Sequence, residues 1–128
     1  MIAILCQRDV KTAPFASWDA LRAQWESVAL AFRVELITID DAGGSFPELQ
    51  PARDQLRDHE WVFITPKGTV DLRNFEHPKQ DVVYAFGRDF AAFDFEEPSV
   101  RIATPRPTEF YSHIAAAIVL WDRTGRSL

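Results

Sequence analysis

The sequence predicts an α/β fold, a mostly parallel five-stranded sheet flanked by helices, and three features carry that reading. Short apolar or β-branched runs recur along the chain, at residues 2–6 (IAILC), 34–39 (VELITI), 61–65 (WVFIT), 81–86 (DVVYAF) and 100–104 (VRIAT). Runs that stay apolar without strict alternation fit strands covered on both faces, as parallel strands are. Segments of crossover length separate them, which right-handed parallel connections need. The 128 residues suit one domain, and 47% hydrophobic residues supply a core with no tract of disorder-prone composition.

Taken in order, the first strand ends at Cys6, the sole cysteine, so no disulfide framework exists and the thiol reads as buried and structural. A loop with Arg8, Asp9, Lys11 and Pro14 follows. Ser17 then offers an N-cap, with Asp19 in the first turn where a carboxylate suits the helix dipole. Trp18, Leu21, Trp25, Val28 and Phe32 recur at three- and four-residue spacing, the apolar face of a helix that packs on the sheet. The second strand runs into Asp40, Asp41, Gly43 and Gly44, a turn. Those carboxylates could contact a ribose or a metal; capping the loop is the plainer role, and no metal is assigned.

Residues 47–59 are polar and weakly helical, with Pro51 suited to a first helical turn. The strand at 61–65 is broken at once by Pro66, Lys67 and Gly68, and 69–76 reads as a short helix ended by Pro78. The strand at 81–86 stops at Gly87. After the strand at 100–104 comes a proline-rich loop and an apolar helix over 109–122.

Function classes narrow from composition. No run is long enough to span a membrane and the start lacks a basic leader, so the expected location is cytoplasmic. A net charge of -5 and a pI near 5.1 count against a surface that binds nucleic acid by itself. Arg101 and Arg106, with Lys67, Arg73 and Arg88 nearby in sequence, could still form a local basic strip. Open parallel sheets bind ligands beyond the carboxyl ends of their strands. Three loops there are distinctive: Thr65-Pro66-Lys67-Gly68, Phe86-Gly87-Arg88-Asp89 and Thr104-Pro105-Arg106-Pro107-Thr108. Glycine permits close backbone approach and proline stiffens, so such loops can hold a nucleoside between walls such as Phe86 and Ile102. The same residues are also the turns that any α/β sheet requires.

One ordered set of residues goes further. Phe86, Gly87 and Asp89, then Val100, Arg101 and Ile102, then Ala115, Ala116, Ala117, Ile118, Leu120, Trp121 and Asp122 follow the pattern FG-x-[DE], V-R-I, A-A-A-I-x-L-[YW]-[DE]. This resembles the SPOUT (α/β-knot) RNA methyltransferases, especially their SpoU-like branch, with the specific match confined to the last third of the chain. The resemblance implies a C-terminal trefoil knot and S-adenosyl-L-methionine as cofactor, bound by Thr65, Pro66, Gly68, Phe86, Gly87, Ile102 and Thr104. It also implies a homodimer through the C-terminal helix and methylation of RNA, at a ribose 2'-hydroxyl of tRNA or rRNA. The apolar circumference of the IAAAIVLW segment independently points to a helix buried on all sides or shared with a second subunit.

The chain departs from the family at its catalytic positions. The family's arginine position on the first helix falls on Ser27, and its asparagine and serine before the last helix fall on Tyr111 and His113. An active enzyme would use His113, Tyr111 or Ser112 near the transferred methyl, with Arg22, Arg8 or Arg106 handling phosphate. His113 is the best base because its ordinary pKa lies near neutrality. The alternative is a catalytically inactive knotted dimer that binds a nucleoside ligand or a protein. A flavodoxin-like domain relying on Asp9, Asp40 or Asp41 fits less well, lacking a phosphate loop. His59 and His77 sit in polar loops and receive no role, and Asp89 reads as ordering its loop.

Overall fold

The computed structural model describes residues 1–8, 17–87, 99–105 and 111–127. Arg88, Asp89, Arg106, Asp9, Lys11 and the expected helix start at Glu109 lie outside them. The elements run β1 (Ile2–Gln7), α1 (Trp18–Phe32), β2 (Glu35–Ile39), α2 (Leu49–Gln55), β3 (Glu60–Ile64), β4 (Val70–Asp71), β5 (Val82–Phe86), β6 (Ser99–Arg101) and α3 (Ser112–Ser127).

Among the described residues the sheet has six strands, not five, in the order β2-β1-β5-β3-β6-β4, and every described pairing is parallel. The additional strand, β4, falls where the sequence reads as a short helix over 69–76. Two residues are too few to show a strand period, and only their pairing with β6 reveals them. Asp71 then accepts from the Arg73 N–H at 2.9 Å and starts a single 3-10 turn, Leu72–Asn74, which is all that remains of the expected helix. Other boundaries shift by smaller amounts. The strand expected over 100–104 is Ser99–Arg101, and the last helix, expected over 109–122, is seen from Ser112 and continues to Ser127.

Alternation along the central strands splits the core in two. Ile4, Cys6, Val62, Ile64, Val82, Tyr84 and Phe86 face α1 and α3, while Ala3, Leu5, Trp61, Phe63, Val83 and Ala85 face Ala52 of α2. On α1 the buried set is Trp18, Leu21, Trp25 and Ala29, the face that the spacing predicts. Ser17 caps this helix by accepting from the Ala20 N–H at 3.1 Å, a contact worth about 1 kcal/mol. Arg33 ends it in a left-handed conformation, φ 55°, with its N–H turned back to the carbonyls of Ala29 and Leu30.

One crossing organises the carboxyl end of the sheet. β3 and β4 are consecutive in the chain, joined only by residues 65–69, yet β6 lies between them and pairs with both. The linking loop therefore passes over β6. Gly68 makes this possible, since a Cβ there would stand 2.3 Å from the Val100 carbonyl carbon and 2.6 Å from the Arg101 nitrogen.

Candidate functional site

The loops after β5, β3 and β6 emerge side by side, because Ile64 is in register with both Phe86 and Val100. Their side chains and backbone groups are tied to one another. The Thr65 N–H donates to the Val100 carbonyl at 2.9 Å, and its hydroxyl accepts from the Lys67 N–H at 3.3 Å. Gly68 spends its N–H on the Thr65 carbonyl (3.1 Å), and its own carbonyl accepts from the Arg101 guanidinium at 2.8 Å. Arg101, a basic-strip candidate in the sequence, thus clamps the loop that crosses its own strand. Ser99 finishes the clamp, accepting the Thr69 N–H at 3.1 Å.

Of the residues expected to hold a cofactor, the structure separates those that shape the crevice from those that face it. Thr65 and Gly68 are buried and bonded as above, and Phe86 is 1% exposed with its ring against Trp25, centroids 5.5 Å apart. Phe86 is consequently a core side chain and not a pocket wall. Pro66 is exposed, and Gly87, Ile102 and Thr104 are half-buried, so these line the opening. Backbone from three adjacent loops, a partly exposed isoleucine and a glycine without a side chain to obstruct approach fit a nucleoside-bearing cofactor.

The loop after β5 also fixes the start of α3. The Ser112 hydroxyl donates to the Gly87 carbonyl at 2.8 Å, so Ser112 is a tie between helix and loop. Next to it, His113 stands edge-on to Trp25 at 6.5 Å and stacks on Tyr111 at 6.2 Å. Tyr111, Ser112 and His113 are therefore grouped with Gly87 at the crevice. Arg22 is elsewhere. It pairs with Glu26 at 3.0 Å and lines clefts on the β1–β2 side of α1.

Two constellations were not legible as such in the sequence. Asp40, buried at the end of β2, accepts from the Ala42 N–H (2.9 Å) and the Arg8 guanidinium (3.3 Å). The Ala42 N–H, with help from Arg8, holds this carboxyl below the usual carboxylate range despite burial. On the other side of α3, His77 bridges the Tyr84 hydroxyl and the Asp122 carboxylate at 2.7 Å each. Burial pushes the Tyr84 hydroxyl up to about 12. Cys6 is buried and its thiol is likewise raised, chiefly by desolvation, which keeps it unreactive.

Solved structures of low sequence identity share this fold. A Bacillus anthracis protein described as a "putative RNA methyltransferase" superposes with a TM-score of 0.74 at 13% identity, over 98% of this chain and 94% of that one. A Porphyromonas gingivalis protein described as a "putative RNA methyltransferase of the TrmH family" gives 0.65 at 12% identity, over 94% of this chain. This chain spans 58% of that second protein's length. No protein-family model and no curated protein sequence matches. Among the described residues, no helix is long and apolar enough to cross a membrane.

Proposed function

We propose that the chain is an S-adenosyl-L-methionine-dependent RNA methyltransferase, acting on a ribose 2'-hydroxyl of tRNA or rRNA as a single-domain cytoplasmic homodimer. The observation that carries this reading is the crossing of β6 by the loop 65–69, held by Gly68 and Arg101 beside Gly87 and the start of α3. Such a crossing supports a trefoil knot once the chain continues from β6 into α3. The likeness to methyltransferase structures supports the same reading.

A bound sulfonium cofactor would supply an already activated methyl group, so alignment does much of the work. The protein's part is to hold the cofactor against Pro66, Gly87, Ile102 and Thr104 and to receive the proton of the attacking hydroxyl. His113, whose ring stands edge-on to Trp25 and stacks on Tyr111, is the residue that would receive that proton.

Dimer formation is supported by the exposed side of α3. Ile114 is 40% and Trp121 72% exposed, with half-buried Ile118 between them, an i, i+4, i+7 apolar stripe exposed at both ends. A second reading, a catalytically inactive knotted dimer that binds a nucleoside or a protein, is favoured by Ser27 and Tyr111 standing where the family keeps its arginine and asparagine.

Calorimetric titration with S-adenosyl-L-methionine tests the site, and methyl incorporation into bulk RNA at low salt tests the chemistry. Binding with incorporation that His113→Ala reduces by about a hundredfold, within the range of general-base catalysis, supports the enzyme. Binding without incorporation leaves the inactive dimer, and no binding removes both.

A further inference from the structure

Three rings stand in a row from the core to the crevice. Trp25 is 2% exposed and packs against Phe86. His113 stands edge-on to Trp25 at 6.5 Å, and Tyr111 stacks on His113 with centroids 6.2 Å apart and planes 23° from parallel, within the offset range of paired rings. His113 and Tyr111 are half-buried, so the row passes from covered to open as it leaves α1. Among the described residues it ends at Tyr111.

Tyr111 is also fixed in place. Its carbonyl accepts from the Ile114 N–H at 3.0 Å and the Ala115 N–H at 3.1 Å, in the first turn of α3, and the next residue is tied to the Gly87 carbonyl through the Ser112 hydroxyl. The ring therefore stands beside the crevice on backbone that is already ordered, and a tyrosine has few torsions to lose when a ligand covers it. Because Tyr111 takes the place of the asparagine of the resembled family, the ring is this chain's own feature and not part of that pattern.

Charge says what kind of contact the crevice favours. A net charge of -5 weighs against RNA affinity won mainly from phosphates, and Arg101, a cation of the crevice, is already spent on the Gly68 carbonyl. Stacking on an aromatic side chain is a source of affinity that needs no charge, since every base has a π face. Only an unpaired base turned out of its own stack can offer that face. We propose that Tyr111 is the platform on which an unpaired base of the RNA stacks, the base whose ribose brings its 2'-hydroxyl to His113. The placement at His113 rests on the methyltransferase reading; the stacking does not.

Fluorescence anisotropy of the full chain with short oligoribonucleotides of A, C or U, and with an abasic oligomer of the same length, tests it. At least one base-bearing oligomer binds, and the abasic one, which keeps every phosphate, binds about fivefold more weakly or worse, as expected for one base stacked on an aromatic ring. Tyr111→Phe keeps the native affinity because the ring remains, whereas Tyr111→Leu and Tyr111→Asn each lose about fivefold or more. Should Tyr111→Leu fail to fold by circular dichroism, Tyr111→Asn and the abasic comparison on the native chain decide. The proposal is overturned if no oligomer binds at high micromolar concentration, if the abasic oligomer binds as well as the others, if Tyr111→Phe loses as much as Tyr111→Leu, or if the folded ringless variants keep native affinity. Base-dependent binding by a chain that does not bind S-adenosyl-L-methionine sinks the methyltransferase reading and leaves the stacking; cofactor binding with base-blind oligomer binding sinks the stacking alone.

Discussion

The His77 ring nitrogen Nδ1 lies 2.7 Å from the hydroxyl of Tyr84, a residue of β5 with no exposed surface. Its other nitrogen, Nε2, lies 2.7 Å from the Asp122 carboxylate on α3. A neutral imidazole satisfies both neighbours when the tyrosine donates to Nδ1 and Nε2–H donates to Asp122. With Tyr84 fully covered, this chain of three is a fastening between sheet and last helix. Arg123 reinforces it from the next position, donating to the carbonyls of Pro78 and Lys79 at 3.0 and 2.9 Å.

Tyr84→Phe should therefore lower stability by about 1–3 kcal/mol in urea unfolding, the cost of stripping a buried hydrogen bond from a partner that stays buried. The alkaline limb of the stability curve gives a second readout. The Tyr84 hydroxyl is raised from about 10 in an unfolded chain to about 12 in the fold. A raised pKa contributes stability that is complete below pH 10 and lost as pH rises through about 12. The phenylalanine variant should lose less stability than the native chain across that window. An unchanged alkaline limb would refute the assignment.

Gly68→Ala should disturb β6 more than its single methyl implies. The new carbon would meet backbone atoms of Val100 and Arg101 at 2.3 and 2.6 Å, and backbone cannot rotate aside as a side chain can. The cost should exceed the about 1–3 kcal/mol typical of overpacking. Alanine at Gly125, where an added carbon meets nothing within 4 Å, is the matched control and should be neutral or mildly stabilising. Thermal unfolding of both variants checks the contrast.

These residues also show what a linear reading captures. The strands at β1, β2, β3 and β5 were plain because each buries apolar side chains on one or both faces, and α1 because its buried residues keep helical spacing. β4 was not, since its existence depends on β6, which comes later in the chain and slips between β3 and β4. The hydrogen bond from Ser112 to the Gly87 carbonyl joins two residues that the family resemblance singles out, but nothing in the sequence announces the bond itself. The fastening by His77 and the pairing of Arg8 with Asp40 were not legible either, because both join residues far apart in sequence without any local pattern. Asp122 illustrates the difference: it belongs to the motif that carries the resemblance, yet its contact here is with a histidine that the sequence gives no reason to notice.

Asp40 sets the acid side of stability. Its folded pKa is depressed, first by the Ala42 N–H and then by Arg8, below the about 3.9 of an unfolded aspartate. A depressed carboxyl contributes stability that is present above the unfolded pKa and lost as pH falls through the folded one. Asp40→Asn should flatten that acid limb, whereas Arg8→Met should flatten it only in part, because the backbone N–H remains. Urea midpoints measured from pH 6 down to pH 2 distinguish the two variants. Identical acid limbs in both would place the larger effect on Arg8 and contradict the order of causes.

Trp121 provides the test of assembly. It is 72% exposed on α3, so replacing it with aspartate removes little packing within the subunit, and monomer stability should change by only about 0.5 kcal/mol. At a two-fold interface the same substitution places a carboxylate in apolar surroundings twice, once from each subunit. Exposed tryptophans at interface centres commonly carry 2 kcal/mol or more, so dimer affinity should fall by roughly thirtyfold or further. Sedimentation equilibrium should show the native chain as a dimer and Trp121→Asp shifted to monomer, with the Leu30→Asp variant reporting whether the 82% exposed Leu30 of α1 shares the contact. A native chain that sediments as a monomer at high micromolar concentration would leave the Ile114–Trp121 stripe without its second copy and remove the dimer from the proposed function.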